Sequence, residues 1–349
     1  MNFGSRVYCN RSLPLCFNYV DHGPLSLFPD PMSQFRADAF AARLNSLAVS
    51  TRRNIYTHLR TFVLFFIYFG VESFPVDEDI LICYIQFLSR NFKSVSSIRN
   101  YIYGIQTVSN LKGFPFPDLS QSHFRLQLKG LTRMMAHTVS RAAPVTPVIL
   151  QKIHSVLDLS IPYHATMWSI MIIGFLLFAR IGNLLPASRR KFDKSKLITR
   201  SDVFVAEDCV IIQLSWTKTL QMAERVLQIP LYAASGSLLC PLKCLLNLVR
   251  LSPGLETDLL FVHKTSLGLQ VITQSEFTKF FRKCLNVCGF DDSVFSGHSL
   301  RRGGATCAFE KGVPGELVKN HGDWRSEAYL VYLQFSSNQK LQTTKAMLS

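Results

Sequence analysis

The residues best suited to chemistry lie in the second half of the chain, where separated cations precede a pair of tyrosines. His298 and Arg301 are three residues apart, so at a helix start they share one face and meet the positive end of the helix dipole. An anion fits beside such a pair. Tyr329 and Tyr332, also three apart, supply two phenolic nucleophiles further along the chain.

Two more cations stand apart from this group. Arg180 ends a strongly apolar stretch, where a guanidinium without a partner is costly and a phosphate would serve as that partner. Lys218 lies between two threonines at the expected tip between two strands, from which a flexible ammonium can reach into a groove. Each also has an ordinary interpretation, which is a buried ion pair for Arg180 and a solvated turn for Lys218.

These residue types together meet the needs of phosphodiester transfer. That reaction requires positive donors on the nonbridging oxygens, a general acid for the leaving 5′ oxygen and a nucleophile in line with it. The arginines and histidine are candidate donors, Lys218 is a candidate acid if its pKa is lowered, and a tyrosine is a candidate nucleophile. Trp324 adds an aromatic brace just before the tyrosines.

The order Arg, Lys, His-x-x-Arg, Trp, Tyr resembles that of the tyrosine recombinases, which include Cre, the phage integrases and the recombinases of animal Crypton and DIRS-type mobile elements. The likeness covers roughly residues 47–333. A single His-x-x-Arg box is a weak signal, but several elements in the right order on the expected structures make a strong one. The matching positions are Arg180, Lys218, His298, Arg301, Trp324 and Tyr332.

The resemblance implies a mechanism that needs neither a metal nor a nucleotide, so no cofactor is expected. Tyr332 would attack a backbone phosphate, form a 3′-phosphotyrosyl link and release a 5′ hydroxyl, whose oxygen Lys218 would protonate. Arg180 and Arg301 would stabilise the charge on the phosphate. His298 would hydrogen-bond the phosphate or assist as a base.

Trp324 stands where the family has histidine or tryptophan, and the resemblance implies that it positions the site through its indole N–H. Asn183 departs from the family pattern, because many members carry an acidic residue there, so weaker support for the arginine or histidine is expected.

Tyr332 follows Trp324 by eight positions, one fewer than in Cre and as in the mobile-element branch. Tyr329 remains the alternative nucleophile, although the spacing favours Tyr332. His321, beside the Gly-x-Trp pattern, is expected to be a solvated helix-end residue.

The composition indicates a folded protein with a polyanionic partner. The chain has 349 residues, of which 48% are hydrophobic, enough to fill two cores. Its formal net charge is +15, from 38 Lys and Arg against 23 Asp and Glu. A basic surface binds nucleic acid through counterion release, although charge alone does not separate DNA from RNA or anionic lipid. The resemblance implies double-stranded DNA, bound by a homo-tetramer on paired sites that can be a monomer free in solution.

The sequence also favours an intracellular location, in the nucleus if the host is eukaryotic. No apolar run reaches the roughly 20 residues needed to cross a bilayer, and residues 1–13 lack the pattern of a secretory signal. Nine cysteines, an odd number, are expected to be free thiols in a reducing compartment. Zinc binding is a weak alternative for two Cys-x-x-x-Cys pairs, which are Cys240 with Cys244 and Cys284 with Cys288.

The elements that must position the candidate site follow from hydrophobic periodicity. In the first half, an amphipathic helix that includes Phe62 precedes helices over 77–92, 94–111 and 123–137. In the second half, helices are predicted over 148–157, 165–185, 242–251, 274–287, 300–311 and 325–335, and short strands over 203–205, 209–216 and 225–231. Candidate DNA-binding residues on the first bundle are Arg53, Arg60, Arg99, Lys129 and Arg133.

The predicted fold class is therefore mainly α, with a small antiparallel sheet. A helical, SAM-like core-binding bundle over 38–137 would be followed by a mixed α/β catalytic domain of the tyrosine recombinase type over 148–335. A loosely ordered arm is predicted over 1–37, a linker over 138–147 and a tail over 336–349. The basic stretch at 189–196 is interpreted as a DNA contact, a solvated loop or a nuclear import signal.

Three other functions fit parts of the pattern. One is a domesticated transposon remnant that binds DNA without cutting it, for which Asn183 leaves room. A second is a nicking-closing enzyme like the type IB topoisomerases, which share the tyrosine chemistry but act as monomers. A third is an RNA-binding or scaffold-binding module that uses only the basic helices.

Overall fold

The computed structural model describes residues 32–70, 74–137, 141–221, 225–332, 341 and 344–348. The chain divides into two compact units, Met1–Val139 and Ser140–Ser349, each with its own hydrophobic core. The first unit is helical, and the second combines helices with short antiparallel strands. The predicted fold class, mainly α with a small antiparallel sheet, is confirmed. No helix in the described ranges combines the length and the apolar character that crossing a membrane requires.

Five helices lie in the described part of the first unit, and their ends follow local sequence signals. Asp77 and Ser94 cap two of them by accepting hydrogen bonds from backbone N–H groups of the first turn. Gly70 and Gly113 end two others in the left-handed conformation. The helices are α1 (Ser33–Asn45), α2 (Val49–Phe69), α3 (Glu78–Asn91), α4 (Val95–Lys112) and α5 (Ser122–Met135).

Helix α1 corrects the predicted arm. Residues 1–31 lie outside the described residues, but residues 33–37, predicted to be loosely ordered, form the first turns of this helix. None of its residues is buried. The helix therefore lacks the core-facing apolar stripe by which an amphipathic helix is recognised in a sequence.

The second unit is built around helix α7 (Pro162–Leu176). Every residue over 165–175 is buried, because the sequence of this helix is apolar on all faces and other elements cover it on several sides. Its neighbours include the helices Pro241–Leu251 and His298–Glu310 and the strand Val262–Thr265. The remaining helices are α6 (Pro147–Ser155), α8 (Ile181–Leu184), α9 (Pro241–Leu251), α10 (Gln274–Val287), α11 (His298–Glu310) and α12 (Gly315–His321).

The strands form a three-stranded antiparallel sheet in the order β1 (Val203–Val205), β2 (Cys209–Leu214) and β3 (Leu227–Tyr232). Buried residues alternate with partly buried ones along β2 and with exposed ones along most of β3, as one covered face requires. A hairpin of β4 (Val262–Thr265) and β5 (Gly268–Val271) was not predicted. Each of these strands has only four residues, too few for alternation to be recognised in the sequence.

Two predicted helices of the second unit were wrong. The helix predicted over 165–185 ends at Leu176, and a short helix restarts at Ile181. The helix predicted over 325–335 is instead the 3₁₀-helix Glu327–Tyr332 within the described residues.

The predicted linker lies partly outside the described residues, which omit 138–140. Its described part belongs to the second unit and is bonded to the rest of it. The backbone N–H groups of Ala143 and Val145 donate to carbonyls of Val294 and Ser299, and Val145 is buried.

Candidate active site

Arg180 is placed by a sharp turn at the end of α7. The helix ends in a Schellman motif, in which the Ala179 N–H donates to the Gly174 carbonyl and the Phe178 N–H to the Phe175 carbonyl. Phe178 takes the left-handed conformation at φ 47°, a position that glycine usually holds. The chain then leaves the helix axis and presents Arg180 at the start of α8.

The Arg180 guanidinium has no hydrogen-bond acceptor among the described residues, although it is only partly exposed. Partial burial lowers its pKa, while the negative charges of Asp323 and of an ionised Tyr332 oppose that shift. A half-buried cation whose donors have no acceptor is suited to bind an anion.

Arg301 is buried on the first turns of α11 and is held by two helix ends. Its guanidinium donates to the carbonyl of Phe178, and at 2.8 Å to that of Gly322. These carbonyls lie at the C-terminal ends of α7 and α12, where the helix dipoles favour a positive charge. A guanidinium carries five N–H donors, so these two contacts leave donors for an anion.

The indole of Trp324 covers one face of the same guanidinium, with Arg301 Cζ 3.7 Å from the ring centroid. Stacking of this kind orients the plane of the guanidinium. Burial, together with the nearby charge of Arg180, lowers the pKa of Arg301 to about 9. The side chain therefore stays positive at neutral pH.

His298 is the first residue of α11, and its side chain is exposed. Partial desolvation lowers the pKa of its ring below 6.5, and the charges of Arg301 and Arg180 add to this. Lys218 acts in the same direction, from the loop between β2 and β3. A histidine that is neutral at pH 7 can accept a proton or a hydrogen bond.

Lys218 is exposed, but the loop that carries it is anchored. The hydroxyl groups of Thr217 and Thr219, on either side of the lysine, donate to the carboxylate of Asp323. Thr217 and Leu220 are themselves buried. The backbone at Lys218 is therefore held in place, while the side chain of the lysine extends into solvent.

The two tyrosines of the 3₁₀-helix have different surroundings. The ring of Tyr332 lies 5.6 Å from that of Trp324, and its carbonyl accepts a hydrogen bond from Thr306 at 2.8 Å. The ring of the buried Tyr329 lies 6.3 Å from the same indole, and its hydroxyl donates to Glu316 at 3.2 Å. Desolvation and this carboxylate raise the pKa of Tyr329.

The prediction that His321 is a solvated helix-end residue was wrong. Its Nε2 lies 2.7 Å from the carbonyl oxygen of Leu176, and its ring packs against Phe178. Burial lowers its pKa, although the bond to the carbonyl opposes the shift. The side chain thereby joins the end of α12 to the end of α7, a contact that no spacing rule in the sequence indicates.

Asp323 was missed by sequence reasoning. It is buried, contacts Thr217 and Thr219, and pairs with Arg225 at 2.7 Å. A lone aspartate after a glycine is an ordinary turn signal, so its sequence position gave no indication of this role. Asn183 is also buried, on α8, and its backbone N–H donates to the Arg180 carbonyl.

The five DNA-binding candidates lie on exposed positions of α2, α4 and α5 in the first unit. None of them pairs with an acidic side chain among the described residues, so their charges are available to a polyanion. In the basic stretch of the second unit, Arg189 pairs with Glu276 at 2.7 Å and Lys196 with Asp193 at 3.0 Å, whereas Arg190 and Lys191 are exposed.

The cysteines within the described ranges are free thiols. The same ranges contain no cluster of three or more side chains that could ligate a metal ion. Cys240 and Cys244 are both buried, as is Cys284.

The geometry thus brings together the side chains predicted from the second half of the sequence. Arg301 and Tyr332 contact the same indole, and Arg180, His298 and Lys218 are close enough for their charges to affect one another. Such a group offers cationic donors, a neutral imidazole, an ammonium and a phenol. These are the components of phosphoryl transfer by covalent catalysis.

Comparison with known proteins identifies the fold. No protein-family model and no curated protein matches the sequence. The XerH site-specific recombinase bound to a palindromic difH substrate is similar to this chain with a TM-score of 0.60 and 16% identity, covering 90% of this chain and 89% of that one. The Tn1549 transposon integrase in complex with transposon right end DNA has a TM-score of 0.56 and 12% identity, with 90% and 99% covered. A lambda integrase dimer bound to a COC′ core site has a TM-score of 0.50 and 13% identity, with 87% and 98% covered.

This chain therefore has the tyrosine recombinase fold. The resemblance inferred from the order of motifs is confirmed at the level of fold, and its assignment to the mobile-element branch stays a prediction.

Proposed function

We propose that this protein is a site-specific DNA recombinase that cuts and rejoins strands through a 3′-phosphotyrosyl intermediate. The observation that carries the proposal is the indole of Trp324, on which the Arg301 guanidinium stacks and which has the ring of Tyr332 at 5.6 Å. The ring of Tyr329 lies 6.3 Å from the same indole, but only the Tyr332 phenol lies near enough to Arg180 and Arg301 to act on their charges. A phosphate bound to the guanidinium would then lie beside the phenol that attacks it.

The five side chains divide the work of this mechanism between them. Tyr332 forms the bond to phosphorus, and Arg180 and Arg301 stabilise the charge on the nonbridging oxygens. The neutral His298 hydrogen-bonds the phosphate or takes up the phenol proton, and Lys218 protonates the leaving 5′ oxygen. The phosphotyrosyl link conserves the energy of the broken bond, so a second 5′ hydroxyl reverses the reaction without a nucleotide.

The substrate in this proposal is double-stranded DNA of a mobile element, contacted through Arg53, Arg60, Arg99, Lys129 and Arg133. The net charge of +15 supports a polyanionic substrate. The proposed assembly is a homo-tetramer on two paired duplexes, and the proposed location is intracellular, in the nucleus of a eukaryotic host. Several solved structures of similar fold are of proteins bound to DNA, including a lambda integrase tetramer on a Holliday junction.

The proposal is tested on a denaturing gel after incubation with nicked suicide substrates pooled from random sequence. The wild type is expected to form a covalent protein–DNA band that Tyr332→Phe abolishes and Tyr329→Phe retains. Tyr329→Phe is the matched control, because it removes the other phenol of the same 3₁₀-helix.

Other outcomes select other functions. A band that persists in Tyr332→Phe and disappears in Tyr329→Phe would make Tyr329 the nucleophile. Tight DNA binding with no band would favour a DNA-binding remnant, and nicking and closing without strand exchange would favour a topoisomerase-like enzyme. Nucleic-acid binding that is insensitive to changes at Arg301 and Tyr332, with no adduct, would favour an RNA-binding or scaffold-binding module.

A further inference from the structure

Asp323 is a buried carboxylate to which the proposed reaction gives no role. Its side chain is bound by the loop between β2 and β3, although that loop lies 106 positions earlier in the chain. Oδ2 accepts hydrogen bonds from Thr217, at 2.5 Å, and from Thr219. Oδ1 accepts a bond from Arg225 at 2.7 Å. Three donors from one loop therefore converge on one carboxylate.

The backbone of Asp323 gives no other reason for an aspartate. Helix α12 ends in a Schellman motif, in which the Trp324 N–H donates to the Lys319 carbonyl and the Asp323 N–H to that of Asn320. Asp323 is the left-handed residue of this motif, at φ 53°. Glycine or asparagine is the usual residue at such a position, so the helix end itself does not require a carboxylate.

The loop is pinned on both sides of Lys218. The Thr217 hydroxyl also accepts hydrogen bonds from the N–H groups of Thr219 and Leu220, both at 3.1 Å. Thr217 and Leu220 are 2% and 1% exposed, whereas Lys218 is exposed. The hydrogen bonds from Thr217, Thr219 and Arg225 to Asp323, here called the clamp, therefore fix the backbone that carries Lys218. They leave the side chain of the lysine exposed.

The residues on either side of Asp323 hold the candidate phosphate-binding arginine. The Gly322 carbonyl accepts a hydrogen bond from Arg301, and the Trp324 ring stacks on it. One three-residue segment thus contacts Arg301 through its first and third residues and the Lys218 loop through its second.

We propose that Asp323 is a positioning residue that holds the Lys218 loop in a fixed position relative to Arg301, so that the ammonium of Lys218 reaches the leaving 5′ oxygen. The inference rests on the proposed function. In the step concerned, Tyr332 Oη bonds to phosphorus and its proton passes to His298. The bond from phosphorus to the 5′ oxygen breaks, its electron pair stays on that oxygen, and Lys218 supplies the proton.

The chemical test compares two leaving groups on a DNA site recovered from the covalent pool. One substrate carries the normal 5′ oxygen at the scissile phosphate, and the other carries a bridging 5′ sulfur, which leaves as a thiolate without protonation. The variants are Asp323→Gly and Asp323→Asn, which both suit the left-handed backbone, and Lys218→Ala as the reference.

All three variants are expected to cleave the oxygen substrate more slowly, by about a hundredfold for Lys218→Ala and by about tenfold or more for the Asp323 variants. On the sulfur substrate their rates should return close to that of the wild type. Asp202→Asn is the matched control, because this carboxylate of the same unit accepts two bonds from Thr199 away from the loop. It should not change the ratio between the substrates. Equal losses on both substrates in Asp323→Gly, or no loss on either, would overturn the proposal.

A second measurement does not depend on activity. Hydrogen exchange at the amides of Thr219 and Leu220 should become about tenfold faster or more in Asp323→Gly, while α7 keeps its protection. Unchanged exchange in the loop would overturn the positioning role, whatever the cleavage rates. A wild type that forms no adduct with any DNA would overturn the proposed function and the proton-transfer step with it, and the exchange result would separately accept or reject the clamp.

Discussion

Arg301 Cζ lies 3.7 Å from the centroid of the Trp324 ring, and the two side chains are stacked. The same guanidinium bonds to the Phe178 and Gly322 carbonyls, at the ends of two helices. Two hydrogen bonds from a planar fork and one stacked face fix both the position and the orientation of the cation. Lysine provides neither the plane nor the fork.

Arg301→Lys is therefore expected to lose cleavage while remaining charged. The loss should be about a hundredfold or more, as for removal of one preorganised donor from a transition state. The measurement is the rate of covalent adduct formation on a suicide substrate. Arg302→Lys is the control, because the neighbouring buried arginine bonds to the Ala142 carbonyl instead. Similar rates for the two variants would contradict a special role for Arg301.

Gly322→Ala should disrupt the stacking of Trp324 on Arg301. A Cβ added there would lie 1.7 Å from Trp324 Cζ3, so the ring would have to move away from Arg301. The expected cost in unfolding free energy is about 1–3 kcal/mol, measured by urea denaturation, together with loss of adduct formation. Gly236→Ala has open space around the added Cβ and should behave as wild type. An active and fully stable Gly322→Ala would show that the stacked ring is dispensable.

His321 predicts a loss of stability in acid. Burial lowers its folded-state pKa, so the unfolded state, with a pKa near 6.5, binds more protons as the pH falls. The contribution is present above about pH 6.5 and is lost as the pH falls towards the folded-state value. Melting temperatures at pH 7.5 and 5.5 should therefore differ less in His321→Gln, which can still donate to the Leu176 carbonyl. His154 and His263 shift in the same direction, so the difference between variant and wild type is the informative quantity. An unchanged pH dependence would contradict this.

The exposed basic residues of the first unit predict a change in salt dependence. Arg99→Gln or Arg133→Gln should lower the slope of log Kobs against log salt by about 0.9 if each arginine neutralises one phosphate. DNA-binding titrations at several salt concentrations measure that slope. Arg189→Gln is the control, because its charge is already paired with Glu276. Equal slopes for all variants would remove these two arginines from the DNA interface.

The sequence alone predicted the elements whose signals are local. The caps at Asp77 and Ser94 are short-range patterns, and each is satisfied within four residues of chain. The breaks in the second unit were missed because they depend on distant contacts. Phe178 adopts a left-handed turn that its own propensity disfavours, where Arg301 binds its carbonyl and His321 packs on its ring.

In the candidate site too, the sequence predicted what depends on local features and missed what depends on distant contacts. The residue types, their order and the spacing of His298 from Arg301 were present in the sequence, because they depend on side-chain chemistry and on one helix turn. The difference between Tyr329 and Tyr332 was not, because both lie on one short helix and both rings contact Trp324. What sets them apart is the bond from Tyr329 to Glu316 and the nearness of Tyr332 to the charges of Arg180 and Arg301. The bond from Asp323 to Thr217 spans 106 positions, a distance over which no propensity or periodicity operates. Only packing of the whole second unit brings such groups together, and so the tertiary structure alone decided how the candidate residues are held.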